Sequence, residues 1–132
     1  MSDPNPFLDE IQAVNAEVQA WYAGTAESGA LDRLMAHFSP QFSMILPNGA
    51  TLDWPRLREI FAQHGGQRPN FAIEITGSAF IAQYPSGAVV TYIETQSEGE
   101  QNRNLRRSTA VLEIAAHGKV QWRHLQETFC AG

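Results

Sequence analysis

The chain has 132 residues, 43% hydrophobic and 17% charged; this fits one globular domain that buries about 70% of its unfolded surface, and it excludes a disordered polymer. Nine basic residues against 14 acidic ones leave a net charge of −5, which speaks against nucleic acid and anionic membranes, since both select basic patches. The single cysteine, Cys130, excludes an internal disulfide and a cysteine-built zinc site.

The opening MSDPNPF has neither the basic region nor the apolar core of a secretory leader. No apolar run reaches the 18 or more residues of a membrane span. A soluble cytoplasmic protein is the expectation. Phe7, Ile11, Val14, Val18 and Trp21 step by four, three, four and three, the spacing of one helical face. Asp3 or Asn5 can cap that helix, Pro4 or Pro6 can fill its first turn, and Gly24 can end it. A short second helix is predicted over Ala30–His37, stopped by Ser39-Pro40. Gln41–Leu46 reads as a strand and Pro47-Asn48-Gly49 as a turn. Trp54–His64 reads as a third helix, started by Asp53 and Pro55 and ended by Gly65-Gly66.

From Asn70 the hydrophobic period changes to two. Phe71–Gln83, Ala88–Gln96, Arg106–Ile114 and Val120–Phe129 are four predicted strands with short connections, hence antiparallel neighbours. The expected fold class is α+β: three helices covering one face of a long, curved antiparallel meander.

Turn positions give a register. A hairpin centred near Glu100 sets Glu94 opposite Arg106 and Tyr92 opposite Ser108. A two-residue turn at His117-Gly118 sets Glu127 opposite Ser108 and Leu125 opposite Ala110. One face then carries Tyr92, Glu94, Gln96, Arg106, Ser108, Ala110, Leu112, Leu125, Glu127 and Phe129. The other carries Thr91, Ile93, Arg107, Thr109, Val111, Trp122, His124, Gln126 and Thr128. Both contain apolar residues, so both are expected to be covered, one by the helices and the other by a second copy of the chain. On the first face Glu94 and Glu127 would lie about 10 Å apart at the backbone with Arg106 between them. There the guanidinium can pair with both and hold both ionised. Such an arrangement is either the polar floor of a ligand pocket or an ion cluster closing the barrel.

The order of elements resembles the nuclear transport factor 2-like fold, a cone-shaped α+β barrel. The stretch FSMILPNGATLDWPRLREIF is similar to the strand–turn–helix segment of the kinase association domains and of the SnoaL-like proteins. TYIETQ and RRSTAVLEIAAHGKVQWRHLQETF resemble the last strands of the same group. The resemblance covers roughly Val14 to Phe129. It implies a cavity and a homodimer, but no particular reaction. In the association domains, pocket arginines lie at positions matching Glu94, Ala110 and Glu127. The charges are inverted here, which argues against a carboxylate-binding pocket of that kind. The isomerases and dehydratases of this superfamily use Asp, His and Tyr in the cavity, and their full sets cannot be placed on this sequence.

Glu94 is the candidate catalytic residue, as a general base or a ligand anchor. Tyr92, Arg106, Ser108 and Glu127 are candidate ligand contacts. Trp21, Tyr22, Trp54 and Met44 read either as plain core or as apolar cavity walls. A metal site is not expected, because His37, His64 and His117 fall at helix ends and a turn, and His124 sits on the second face. His64 before Gly65-Gly66 complements a helix C-terminus. Nucleophile, phosphate-loop and dinucleotide motifs are absent, so no cofactor is expected. Three functions stay open: a module binding a small organic molecule, a cofactor-independent isomerase, dehydratase or cyclase, and an assembly domain with a vestigial cavity.

Overall fold

The computed structural model describes residues 5–130. Helix α1 spans Pro6–Ala23. Asn5 caps it: Oδ1 accepts from the N–H groups of Phe7 and Leu8 at 3.0 and 3.1 Å, an arrangement worth about 1 kcal/mol. Pro6 occupies the first turn, where its missing N–H costs nothing. Asp3 and Pro4, the other expected start signals, lie outside the described residues. Gly24 ends the helix at φ 80°, the left-handed region that favours glycine. Phe7, Ile11 and Val14 are buried along the expected face, each stabilising the fold by roughly 2 kcal/mol.

Helix α2, Ala30–Met35, is two residues shorter than its sequence signal. Strand β1, Phe38–Ile45, runs through Ser39-Pro40 instead of starting after it. The proline is tolerated because the ladder from β1 to the last strand is interrupted between Phe38 and Ser43. The turn at Pro47-Asn48-Gly49 leads into a three-residue strand β2, Thr51–Asp53, which pairs back on β1. The sequence reading did not separate this strand from the start of the next helix. Helix α3, Trp54–His64, has the expected bounds. Asp53 Oδ1 accepts from the Arg56 N–H at 3.0 Å, and His64 Nδ1 lies 2.8 Å from the Ile60 carbonyl oxygen. At Gly65 a side chain would come within 2.8 Å of the Trp21 indole, so α1 and the end of α3 approach too closely for any other residue.

The period-two region folds as β3, Phe71–Tyr84, β4, Gly87–Glu98, β5, Gln101–Ile114, and β6, Val120–Phe129. These form the expected antiparallel meander. Strand β1 adds beside β6 in parallel, giving the order β2-β1-β6-β5-β4-β3. That parallel pair was not anticipated, since no local turn signals contact between residues about 80 positions apart. The sheet is curved and open, and the helices pack against one face in the cone-shaped α+β arrangement.

The expected pairs form, but with a bulge near each turn. Strands β4 and β5 meet at Glu98–Gln101 and shift by one residue before Gln96–Asn104. The β5–β6 loop is not the expected two-residue turn, since Ile114 pairs with Val120, and the bulge in β6 restores the expected register beyond it. Glu94 stands opposite Arg106, Tyr92 opposite Ser108, Ser108 opposite Glu127 and Ala110 opposite Leu125. Tyr92, Glu94, Ser108, Ala110, Leu112, Leu125 and Glu127 are all buried. Trp122 corrects the expected assignment. Between the pairs Val111–His124 and Leu112–Trp122, β6 carries one extra residue. This bulge inverts the alternation and turns Trp122 inward. Its ring lies 5.9 Å from Phe38 and 6.5 Å from Tyr92. Phe129, expected on the inner face, is 56% exposed near the end of β6. The outer face carries Thr91, Ile93, Thr109, Val111 and His124, all partly exposed.

Candidate functional site

Between the helices and the sheet lies a cavity of about 220 Å³. Helix α1 supplies Val14, Asn15, Val18 and Tyr22, because the spacing 14, 15, 18, 22 follows one helical stripe. Helix α3 supplies Leu57, Ile60 and Phe61. Phe38, Met44, Leu46 and Leu52 close the end near β1 and β2. The sheet supplies the polar floor: Tyr92, Glu94 and Gln96 from β4, Arg106 from β5, Glu127 from β6. A depression of about 370 Å³ shares Tyr22, Ile60, Gln96 and Arg106 with the cavity and adds His64, Gln67 and Arg68, so it forms the mouth. Two wider troughs, of about 750 and 520 Å³, lie along α1 and α2. They are larger, but the buried polar groups converge on the smaller cavity, which is the better candidate.

Of the residues singled out in the sequence, Tyr22, Met44, Tyr92, Glu94, Arg106 and Glu127 meet at this cavity. Trp21 and Trp54 do not line it. The Trp21 indole N–H donates to the Phe61 carbonyl at 2.7 Å, tying α1 to α3. The Trp54 indole N–H donates to the Met35 carbonyl at 3.2 Å, tying α3 to α2. Both are braces between helices. Ser108 is fully buried in the sheet behind the cavity wall, and its hydroxyl makes no hydrogen bond of good geometry, although Tyr92 and Glu127 lie near.

The charge arrangement differs from the symmetrical one expected. Arg106 Nη1 donates to Glu127 Oε1 at 3.0 Å. It does not reach Glu94 directly. Arg106 Nη2 donates instead to Gln96 Oε1 at 3.3 Å, and Gln96 Nε2 donates to Glu94 Oε2 at 2.5 Å. Asn104 Oδ1 accepts from Nε and Nη2 at 3.3 and 3.1 Å. All three guanidinium nitrogens are therefore engaged, and the charge serves Glu127. Glu94, 4% exposed, is pushed up to about 7 by burial and by the neighbouring Glu127 charge, against the pull of Gln96 and Arg106. Glu127 is also raised by burial, with Arg106 opposing. Burial and the two carboxylates hold the Tyr92 phenol well above 10. A buried carboxyl of that kind exchanges a proton near neutral pH.

Three features escaped the sequence reading. Asn15 is buried in the apolar stripe of α1, where its Nδ2 donates to the Ile11 carbonyl at 2.8 Å. Its signal was a polar residue at helical spacing from Ile11, Val18 and Tyr22. Gln96 had been placed on the inner face but not in the site. The third is a separate cluster: His37 Nδ1 lies 2.7 Å from Glu10 Oε2, and His37 Nε2 lies 2.6 Å from Glu17 Oε2. The Trp122 indole N–H also donates to Glu10 Oε2 at 3.2 Å. Glu10 and Glu17 stand seven apart on α1, two turns of one face. On the outer face, Ser43 Oγ and His124 Nδ1 are 2.7 Å apart. Among the described residues, no three His, Cys, Asp or Glu side chains group as metal ligands, and no helix is long and apolar enough to cross a membrane.

Comparison with known proteins matches this geometry to one group. The family model described as SnoaL-like domain matches residues 14–129. An NTF2-like protein of unknown function from Pseudomonas aeruginosa is similar at 42% identity and a TM-score of 0.92, over 96% of this chain and 100% of that one. A ketosteroid isomerase-like protein from Erwinia carotovora atroseptica shares 14% identity at a TM-score of 0.64, over 98% and 100%. A protein from Thiobacillus denitrificans assigned to the calcium/calmodulin-dependent protein kinase type II association domains shares 16% at 0.69, over 99% of each chain. The last two likenesses concern the fold alone. No curated protein matches the sequence.

Proposed function

We propose that this chain, which belongs to the SnoaL-like domain family, is a single domain that binds a small, largely apolar organic molecule in the cavity between its helices and its sheet. The observation that carries this reading is the cavity itself. Apolar walls from α1, α3 and β1 face a floor on which Tyr92, Glu94 and the Arg106–Glu127 pair converge, the mix that small-molecule sites use for affinity and orientation. No cofactor is needed for it.

The test is a thermal-shift screen of metabolites and organic acids on the wild type and Glu94→Gln. A ligand at a hundred times its dissociation constant adds about 2.7 kcal/mol, a rise of several degrees in Tm. A compound that raises the wild-type Tm and leaves the variant's unchanged supports the pocket. A screen without such a compound overturns it.

A second reading is enzymatic. Glu94, poised near neutral pH against an apolar wall, would move a proton beside a carbonyl, with Tyr92 donating a hydrogen bond. This is the isomerase, dehydratase or cyclase chemistry to which a pocket carboxylate is suited, and Glu94→Gln would abolish turnover in a folded protein. A third reading, assembly, draws on the likeness to the association-domain fold. We place a homodimer contact on the outer face, where Ile93, Val111 and His124 are partly exposed; light scattering that reports a monomer overturns it. A cytoplasmic location belongs to the same proposal, consistent with one unpaired cysteine.

A further inference from the structure

The cavity wall has an unequal charge count. Two carboxylates, Glu94 and Glu127, face it with one guanidinium. That guanidinium gives a donor to Glu127 and has its other two nitrogens occupied by Gln96 and Asn104. Glu94 receives one hydrogen bond, from Gln96 to Oε2. Among the described residues no donor reaches its Oε1, although the residue is 4% exposed and lines the cavity. Ser108 Oγ is the one fully buried side-chain polar atom without a partner among the described residues, so Glu94 Oε1 keeps a little solvent contact. A ligand that fills the cavity and displaces that solvent must bring a donor to it. An anionic ligand meets the opposite situation, an engaged arginine and an uncompensated acid.

The other groups around Glu94 do not alter the count. From α1, Tyr22 and Asn15 face the cavity, and both are neutral; α3 contributes Leu57, Ile60 and Phe61. From the sheet, Tyr92 is held in its neutral form by burial. Arg68, at the mouth, is paired with Glu98 at 2.7 Å. His64, also at the mouth, sits against the Ile60 carbonyl. The rings of Tyr22, Phe61, Tyr92 and Trp122 border the space, and aromatic faces attract a cation.

We infer that the cavity takes a small organic amine, bound as the ammonium ion, with its charge on Glu94 Oε1 and its apolar body between α1 and α3. This rests on the ligand-pocket reading above and narrows it to one class. Size agrees. A cavity of about 150 Å³ holds a benzene ring, and the 220 Å³ here admits one ring with a short side arm. The amine binds the ionised form of Glu94. Because that carboxyl titrates near neutrality when the cavity is empty, amine binding near pH 7 expels a proton from Glu94 to solvent.

Three isosteric probes test the class: benzylamine, benzyl alcohol and benzoate, titrated calorimetrically into the protein across pH 5–8. Benzylamine should bind at least tenfold tighter than either of the others. Its Kd should weaken close to tenfold per unit below pH 7 and level off above it. Around pH 7 its heat should vary with the ionisation enthalpy of the buffer, as proton release requires. Glu94→Gln should cost benzylamine tenfold or more and flatten its pH profile, while benzyl alcohol is unaffected. The wild-type profile decides the matter even where that variant folds poorly. Preference for benzoate, or benzyl alcohol that tightens as pH falls, overturns the amine assignment and leaves the pocket standing. If no probe binds and pressurised xenon leaves the cavity's methyl and ring resonances unmoved, the pocket reading falls with it.

Discussion

Two clusters in this molecule have the same inventory, two carboxylates around one basic side chain, and they differ in how it is shared. At the crossing of α1 with the loop before β1, His37 stands between Glu10 and Glu17 and serves each with one ring nitrogen. In the cavity, Arg106 serves Glu127 and reaches Glu94 only through Gln96. The first cluster is satisfied. Both ring nitrogens face acceptors, which favours the protonated imidazole, and its pKa is raised chiefly by the hydrogen bond to Glu10. The second leaves one acid over. A satisfied cluster between helices holds them together, whereas an unsatisfied one beside a cavity is open to a ligand.

The largest expected effect comes from Arg106→Ala. It strands Glu127, 5% exposed, and breaking a buried pair from one side costs about 3–5 kcal/mol. Arg106→Ala with Glu127→Gln should recover most of that loss in urea melts at neutral pH. A single variant that loses under about 1 kcal/mol would show that Glu127 carries no buried charge. Glu94→Gln should act in the other direction. The folded pKa of Glu94, about 7, lies above its ordinary 4.5, so the folded state binds the proton more tightly than the unfolded one. The stabilisation from that proton is fully present below pH 4.5 and is lost as pH rises through about 7. The glutamine variant avoids the loss. It should match the wild type in acid and exceed it by an amount on the order of 3 kcal/mol near pH 9. Parallel pH–stability curves would contradict this.

Most of the cavity's floor was legible because register is set locally. Turns near Glu100 and His117-Gly118 bring the strands to within one residue of the observed register, bulges beside them supply the rest, and period two then puts Tyr92, Glu94, Ser108 and Glu127 on one side. Trp122 was misplaced because a bulge has no sequence signature as plain as a turn's, and one extra residue reverses the alternation. The parallel β1–β6 pair was hidden for a different reason: it joins distant segments with no connection of its own. Trp21 and Trp54 show the limit of residue type as a guide to function. Each is amphipathic, and each found its partner in a helix carbonyl at the far side of the wall instead of in the cavity. The direction taken by Arg106 was beyond the register as well. Glu94 is its direct cross-strand neighbour, yet the side chain turns to Glu127. Backbone pairing leaves both choices open, and rotamers and the Asn104 and Gln96 contacts decide between them.

The smallest effect should belong to the satisfied cluster, and its sign under pH separates it most cleanly from Glu94. The His37 pKa is raised above 6.5 by Glu10, with Glu17 adding to it. Its contribution is therefore fully present below pH 6.5 and fades as pH rises through the folded value. The ring is a quarter exposed and Glu17 more than a third, so solvent screens the pairs and His37→Gln should cost about 1 kcal/mol near pH 6. That deficit should shrink toward pH 9. Both acidic clusters thus make the wild type less stable in alkali, but the Glu94 variant is stabilised there, whereas the His37 variant merely catches up. Trp122 supplies an optical reporter, since its indole N–H donates to the same Glu10 oxygen that holds His37. Its fluorescence should follow the His37 titration in the wild type and lose that step in His37→Gln. A step that survives in the variant would assign the titration to another group and dissolve the contrast between the two clusters.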